Sequence, residues 1–392
     1  MRRREPHDVA VVGGGAVGAA CALALARQGL DVRLLDAAQP SAWSADAPDL
    51  RVYALAPDNV ALLDTLGVWA QVRGARAQPY RRMQVWDAAG GEPIVFDADA
   101  LARPGLGWIV ENRLLVDVLW RELERSGVRV SCPARVDALE QGEDQATLRL
   151  EDGTSVAARI VVAADGAGSP LRRMAGIAAD AYDYAQQGVV GYVRTGQPHQ
   201  DTAWQRFLPT GPLALLPWVD GACSIVWTLP QDEATRVLGL DDAAFAREIT
   251  IAFEARLGGI RPLTPRAGFP LRRQLSDSQH AGRLLVVGDA AHAVHPLAGQ
   301  GVNLGLRDVA SLCDAVADAR RRAMAWDSPH RLARWARSRR SDGALAAYAF
   351  EGLNHLFSND APLPTLLRGP LLGLVGRVPP LVDLFWRRAA GG

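Results

Sequence analysis

Lysine is absent from this 392-residue chain; all 43 of its basic residues are arginine. Chemistry built on an amine is thereby excluded: a Walker A phosphate loop, a Schiff-base lysine, a pyridoxal anchor. Cysteine is scarce, and Cys21, Cys132, Cys223 and Cys313 stand far apart with no CxxC spacing. That is the pattern of buried free thiols in a reducing cytoplasm, and no metal-ligating cluster stands out. An excess of charge of one sign is missing too: 43 acidic residues balance the arginines, so nothing suggests a nucleic-acid partner. No apolar run reaches the ~20 uninterrupted residues of a membrane span. The nearest approach, from Leu366 to Trp386, is broken by Arg368, Gly369-Pro370, Arg377 and Pro379-Pro380. The start does not read as a signal peptide, because the apolar strand after Met1-Arg-Arg-Arg-Glu5 runs straight into a glycine loop. There is no internal repeat.

What is present begins with a core: 49% of the residues are hydrophobic, enough for more than one average domain. Asp8-Val-Ala-Val-Val12 reads as a buried strand. Gly13-Gly-Gly-Ala-Val-Gly18 follows, then an alanine-rich helix to about Gln28 and a second strand, Val32-Arg-Leu-Leu35, ending in Asp36. This is a dinucleotide fingerprint in its proper setting. Gly13 permits the tight turn, Gly15 lets a pyrophosphate approach the backbone, and Gly18 lets helix pack on strand; Asp36 accepts from a ribose. The motif alone does not separate FAD from NAD. A second strand-then-acid turn is Ile160-Val-Val-Ala-Ala-Asp165-Gly166, with Gly168 two residues on. The third is Leu284-Leu-Val-Val-Gly-Asp289, followed by a turn with Pro296, Gly299 and Gly301 and then a helical pattern. It places a hydroxyl acceptor beside the free N–H groups of a helix start, a combination suited to the ribityl chain and the electron-poor ring of a flavin. Three such turns exceed what one mononucleotide needs. An extended FAD accounts for all of them.

In this order the motifs resemble those of the group A flavin monooxygenases, aromatic hydroxylases with a para-hydroxybenzoate-hydroxylase-like fold, and most closely the ubiquinone-biosynthesis hydroxylase family. The resemblance rests on Gly288-Asp-Ala-Ala-His292, on His295-Pro-Leu-Ala-Gly-Gln-Gly-Val-Asn-Leu-Gly305, on Glu111-Asn-Arg-Leu-Leu115 and on Gly352-Leu-Asn-His-Leu-Phe357. It implies that FAD is held by Gly13, Gly15, Ala16, Val17, Gly18 and Asp36 at the adenosine end, with Val136 nearby. Arg51 resembles an arginine near the phosphates, and Arg113 a helix residue facing the cofactor. Asp165 and Gly166 form the turn implicated in handling both FAD and reduced nicotinamide. Asp289 resembles the ribityl acceptor, and Pro296, Gly299, Gln300, Gly301, Val302 and Asn303 the loop beneath the flavin. For His292 and His295 a structural role in the turn is favoured over acid–base catalysis, and no catalytic residue is nominated. The absence of lysine also sets the chain apart from lysine-dependent flavin halogenases.

The expected architecture is α/β: a discontinuous Rossmann-like FAD-binding domain (1–78, 105–178 and 270–330), an antiparallel β-sheet substrate domain (79–104 and 179–269) and a helical C-terminal region (331–392). Text such as Gly188-Val-Val-Gly-Tyr-Val193 and Cys223-Ser-Ile-Val-Trp-Thr228 supports a sheet lying over the flavin. Trp204, Phe207, Leu213, Trp218 and Trp227 suit a greasy substrate such as a polyprenylated phenol, and read equally well as ordinary sheet core. The resemblance implies a monooxygenase using O2 and an external reductant, NAD(P)H, on a lipid-like phenolic intermediate of ubiquinone biosynthesis. It implies a cytoplasmic protein that can sit at the inner membrane, and contacts with other quinone-biosynthesis subunits or a membrane surface through the C-terminal region. A homo-oligomer stays open. So do two alternatives: a group A hydroxylase of another small aromatic or secondary metabolite, and a non-catalytic flavin-bound scaffold subunit.

Overall fold

The structure is a computed structural model that describes residues 5–90, 92–294 and 301–357, with side chains described as far as residue 343. His7–Val12 forms the centre of a parallel sheet. On one side lie Val32–Leu35 and then Arg129–Ser131; on the other lie Ser155–Ala163 and then Leu284–Val286. The strands are near-continuous Val, Leu and Ala because both faces are covered. Helices Ala16–Arg27, Asn112–Ser126 and Gly301–Arg321 pack together against one face, burying Val9, Val11, Cys21, Leu34, Leu119 and Val309 in a common core. Ala16–Arg27 is alanine-rich because it is enclosed by the other two helices, and small side chains let them approach.

Chain order reverses around the central strand, whose neighbours are the second strand on one side and a much later one on the other. Such a switch point opens a crevice at the carboxyl ends of the strands. Gly13 follows the central strand there, Asp36 follows Val32–Leu35, and Asp165 and Asp289 follow just beyond the other two. All three sequence motifs thus converge on one edge.

The second layer is an antiparallel sheet built on Ala179–Thr195, Ala222–Pro230, Gly211–Pro217, Thr202–Leu208 and Ala267–Ser276. The two expected strands are direct partners, with Gly188 opposite Thr228 and Val193 opposite Cys223. Arg82–Asp87 pairs in parallel with Thr202–Leu208, and Ile94–Asp97 extends the edge, so the early excursion does supply strands to this layer. At its other end the layer runs past residue 269 to Ser276 and pairs with His292–Ala293. Side chains alternate between faces. Val189, Leu213, Leu215, Ile225 and Trp227 pack with helices Gln231–Leu238 and Asp242–Ala252, while Val190, Leu216 and Val226 face the first domain. A three-stranded sheet, Val52–Leu55, Gly107–Glu111 and Ala77–Tyr80, joins the layers.

The C-terminal region opens as helix Pro329–Phe357, which buries Leu332, Trp335, Ala336 and Arg339. The stretch from Leu366 to Trp386 lies outside the described residues. Among the described residues no helix is long and apolar enough to cross a membrane.

Candidate active site

A cavity of about 920 Å³ occupies the crevice between the two layers. Its nucleotide end is the glycine loop. Gly13 has φ +103°, and a Cβ there would stand 2.3 Å from the carbonyl oxygen of Ala164; one at Gly18 would stand 1.9 Å from the carbonyl oxygen of Gly13. Protein packing therefore explains both glycines. It does not explain Gly15, where a Cβ would meet nothing within 4 Å and the backbone is extended. Gly15 caps Ala16–Arg27 with no side-chain hydrogen bond, so the N–H groups of the first turn are left for a ligand. Asp36 lines the same end, accepting from the N–H of Gly14 and, at 2.9 Å, from that of Ala38. Ala134, Arg135 and Val136 form the wall beside it.

Midway, Asp165 accepts from the N–H of Leu171 at 3.2 Å through Oδ2, but its Oδ1 is buried without a hydrogen-bond partner. Burial raises its carboxyl above the usual range, against the lowering effect of its hydrogen bonds. An acceptor of this kind on a cavity wall calls for a donor from a ligand. Gly166, at φ +82°, turns the chain away and leaves the wall open. Together with the open space over Gly15, this orphan acceptor shows that the residues fit an extended dinucleotide such as FAD.

At the far end Asp289 follows Gly288, whose φ of +61° and tight approach to Val17 restrict the position to glycine. Nη2 of Arg51 stands 3.9 Å from the Asp289 carboxylate. Arg51 also lies over the ring of Tyr53, 5.5 Å from its centroid; the Tyr53 hydroxyl donates to Oδ1 of Asn112 at 2.7 Å, and burial pushes that phenol up to about 12. Tyr53 is thus a neutral donor. Gly301 and Val302, at the start of Gly301–Arg321, complete this wall. Asn303 does not line it. Its amide donates to the carbonyl of Ala54 at 2.8 Å and accepts from Ala56 at 2.9 Å and Asn59 at 2.8 Å, locking the three-stranded sheet to the helix. Asn112 rather than Arg113 lines the cavity; the backbone N–H of Arg113 donates to Asp49 at 3.0 Å. Pro296, Gly299, Gln300 and His295 lie outside the described residues.

The sheet side of the cavity is Gly188, Val190, Leu216, Val226, Phe269 and Leu271, with Arg272 at the edge. None of the five aromatic and leucine residues expected to favour a greasy substrate lines it. Trp204, Leu213 and Trp227 pack toward the helices and Trp218 packs at a tilt against Tyr192, so the plain sheet-core reading holds for them. The cavity-facing residues are their neighbours of opposite parity, a signal present in the strand alternation. Nor does the sheet supply a cation from Arg194, which donates to the carbonyl of Asp220, or from Arg206, which is buried against Glu254 at 2.7 Å. No histidine or cysteine lines the described wall. His292 is buried and bonded to Asp308 at 2.6 Å, in a structural setting.

Residues 6–341 match the FAD binding domain family. The chain is 39% identical over 373 residues to a 3-demethoxyubiquinol 3-hydroxylase of Escherichia coli, covering 95% of this chain and 94% of that one. It is also 39% identical over 386 residues to the ubiquinone hydroxylase UbiL of Rhodospirillum rubrum, covering 98% and 89%. Among solved structures, p-nitrophenol 4-monooxygenase PnpA of Pseudomonas putida shares the fold with a TM-score of 0.78 at 21% identity, covering 98% of each chain. By these matches the chain belongs to the FAD binding domain family and, within it, to the FAD-dependent hydroxylases of ubiquinone biosynthesis.

Proposed function

We propose that this monooxygenase hydroxylates the aromatic ring of a lipid-like phenol or quinol, a polyprenylated intermediate of ubiquinone biosynthesis, with O2 and with NAD(P)H as external reductant. The observation that carries the reading is the apolar sheet wall. Val190, Leu216, Val226, Phe269 and Leu271 form an apolar surface continuous with the cofactor end of the cavity. A carboxylate-bearing substrate would ask for a buried cationic anchor on that wall, and its one arginine, Arg272, is exposed and paired with Asp183. The names of the relatives support the same substrate class.

Bound FAD supplies electron transfer and oxygen activation. The protein's part is binding, orientation and exclusion of water. N–H groups after Gly15 receive the pyrophosphate, Asp36 a ribose hydroxyl, and Asp165 and Asp289 donors further along. The N-terminus of Gly301–Arg321 aims its positive dipole end at the cavity, and Arg51 adds a full positive charge. Both favour negative charge on a reduced ring. The sheet wall holds the phenol over that region and keeps water out, which protects the oxygen chemistry from side reactions. The protein works in the cytoplasm, with the C-terminal region as the part that meets a membrane surface or partner subunits.

Deleting the gene in a host without a redundant hydroxylase tests the assignment. Mass spectrometry should find lowered ubiquinone and a precursor short of one hydroxyl. Normal quinone with no such precursor would move the assignment to another small aromatic.

A further inference from the structure

The turn that bears Asp289 is held from an unexpected distance. Asp308, on Gly301–Arg321 and fully buried, accepts through Oδ2 from the backbone N–H of Gly288 at 3.0 Å and from Nε2 of His292 at 2.6 Å. Its Oδ1 accepts from Nε of Arg339 at 2.8 Å. Arg339 belongs to the next helix, Pro329–Phe357, is only 7% exposed, and gives Nη1 to Asp342 at 2.8 Å. One carboxylate therefore ties both ends of the segment from Gly288 to His292, and one guanidinium from the C-terminal helix orients the carboxylate. The segment has no slack: a Cβ at Gly305 would stand 3.0 Å from the Cα of Gly288 and 2.6 Å from Val17.

We propose that Arg339 is a positioning residue for the flavin site, acting through Asp308 on the backbone of Gly288 and so on the place of Asp289. The proposal rests on FAD occupying the cavity and is independent of the substrate. Charge balance agrees with the geometry. Burial opposes charge on His292, yet Asp308 outweighs it and holds the imidazole above its ordinary value. Burial likewise opposes charge on Asp308, while His292 and Arg339 together hold its carboxyl below the usual range. Without Arg339, one oxygen of a buried carboxylate loses its donor, and the carboxylate must turn or rehydrate. Either change pulls on Gly288.

The test uses the full-length protein freed of flavin. FAD titration, visible circular dichroism of the bound flavin and thermal unfolding of the apoprotein are compared for the wild type, Arg339→Met, Arg339→Lys and Asp308→Asn with and without Arg339→Met. Arg339→Met should raise the FAD Kd roughly tenfold, the equivalent of about 1.4 kcal/mol, and alter the flavin dichroism. Arg339→Lys should recover part of both. Adding Arg339→Met to Asp308→Asn should cost nothing further in Kd, because the arginine acts through that carboxylate. Unchanged Kd and dichroism with only a lowered Tm would reduce Arg339 to structural support and overturn the proposal, as would additive losses. Should Arg339→Met fail to fold, Arg339→Gln decides: a Kd and flavin dichroism equal to the wild type overturn it. A wild-type protein that binds no FAD would overturn the flavin reading itself, and this proposal with it.

Discussion

A side chain at Gly13 would meet backbone, whereas one at Gly15 would meet nothing within 4 Å, and that contrast separates folding from binding within a single loop. Gly13→Ala must strain a residue at φ +103° and displace the Ala164 carbonyl, so it should destabilise the apoprotein by at least about 2 kcal/mol. Gly15→Ala should leave the apoprotein Tm unchanged while weakening FAD roughly tenfold or more, about 1.4 kcal/mol. Thermal unfolding of both apoproteins and FAD titration check the pair; a stable Gly15→Ala protein with wild-type affinity would remove the pyrophosphate from this loop. Asp289 gives a smaller effect, because its side chain is 41% exposed in the open cavity. Losing one hydrogen bond there through Asp289→Ala should weaken FAD by roughly 1 kcal/mol, about fivefold. An unchanged FAD Kd would remove Asp289 from the ribityl site. The tight turn at Gly13 and the close helix packing at Gly18 were legible in the sequence, because spacing alone reports them. Asn303 was not: its partners Ala54, Ala56 and Asn59 lie more than two hundred residues away in sequence, and no local pattern announces such a lock.

Along a strand, parity decides what a side chain does. Ile225 is fully buried against the helices and Val226, beside it, lines the cavity. Ile225→Ala should therefore cost about 2–5 kcal/mol of stability with little change in KM. Val226→Phe should raise KM for a prenylated phenol and leave both Tm and FAD affinity near wild type; the reverse pattern would put the substrate elsewhere. Only part of this parity was marked in the sequence: in Ala222–Pro230 the polar Ser224 and Thr228 share the face of Val226. Gly211–Pro217 is apolar on both faces, since helices cover one while on the other Ala214 packs with Ala54, Tyr80 and Ile109 and Leu216 lines the cavity, so alternation carries no polar mark. For Leu213 the substrate-facing and sheet-core readings therefore stood level in the sequence, whereas Gly188 to Val193 and Cys223 to Thr228 were read as strands of one antiparallel sheet, and they pair directly. A second consequence at this scale is pH dependence. His292, facing Asp308 with Asp289 and Arg339 nearby, has its native value raised above 6.5. Its contribution to stability is complete below that unfolded value and is lost as pH rises through the native one. Asp308, lowered from 3.8, contributes above that value and loses its share as pH falls through the native one. The Tm advantage of the wild type over His292→Asn should thus be largest in mildly acidic buffer and shrink toward alkaline pH. A constant difference would mean that the imidazole stays in one protonation state.

For the whole molecule, the discontinuity of the flavin domain follows from a parallel sheet whose strands come from the start, middle and later parts of the chain. The long excursions before Arg129–Ser131 and after Ser155–Ala163 supply the strands of the second layer, and the cavity is what the two layers leave at the switch point. That much was legible, because glycine turns after apolar strands mark the carboxyl ends of a parallel sheet. The network joining Asp308 to Arg339 was not, because two charges in separate helices look like two solvated charges until burial is known. The central claim is that one oxygen atom of O2 enters the ring of a lipid-like phenol in this cavity. The most direct measurement supplies purified, FAD-loaded protein with NAD(P)H, isotopically labelled dioxygen and a short-chain prenylated phenol, and weighs the product. The account predicts a ring-hydroxylated product carrying one labelled oxygen atom; reduced nicotinamide consumed with only peroxide formed, or a product whose new oxygen comes from water, would contradict it.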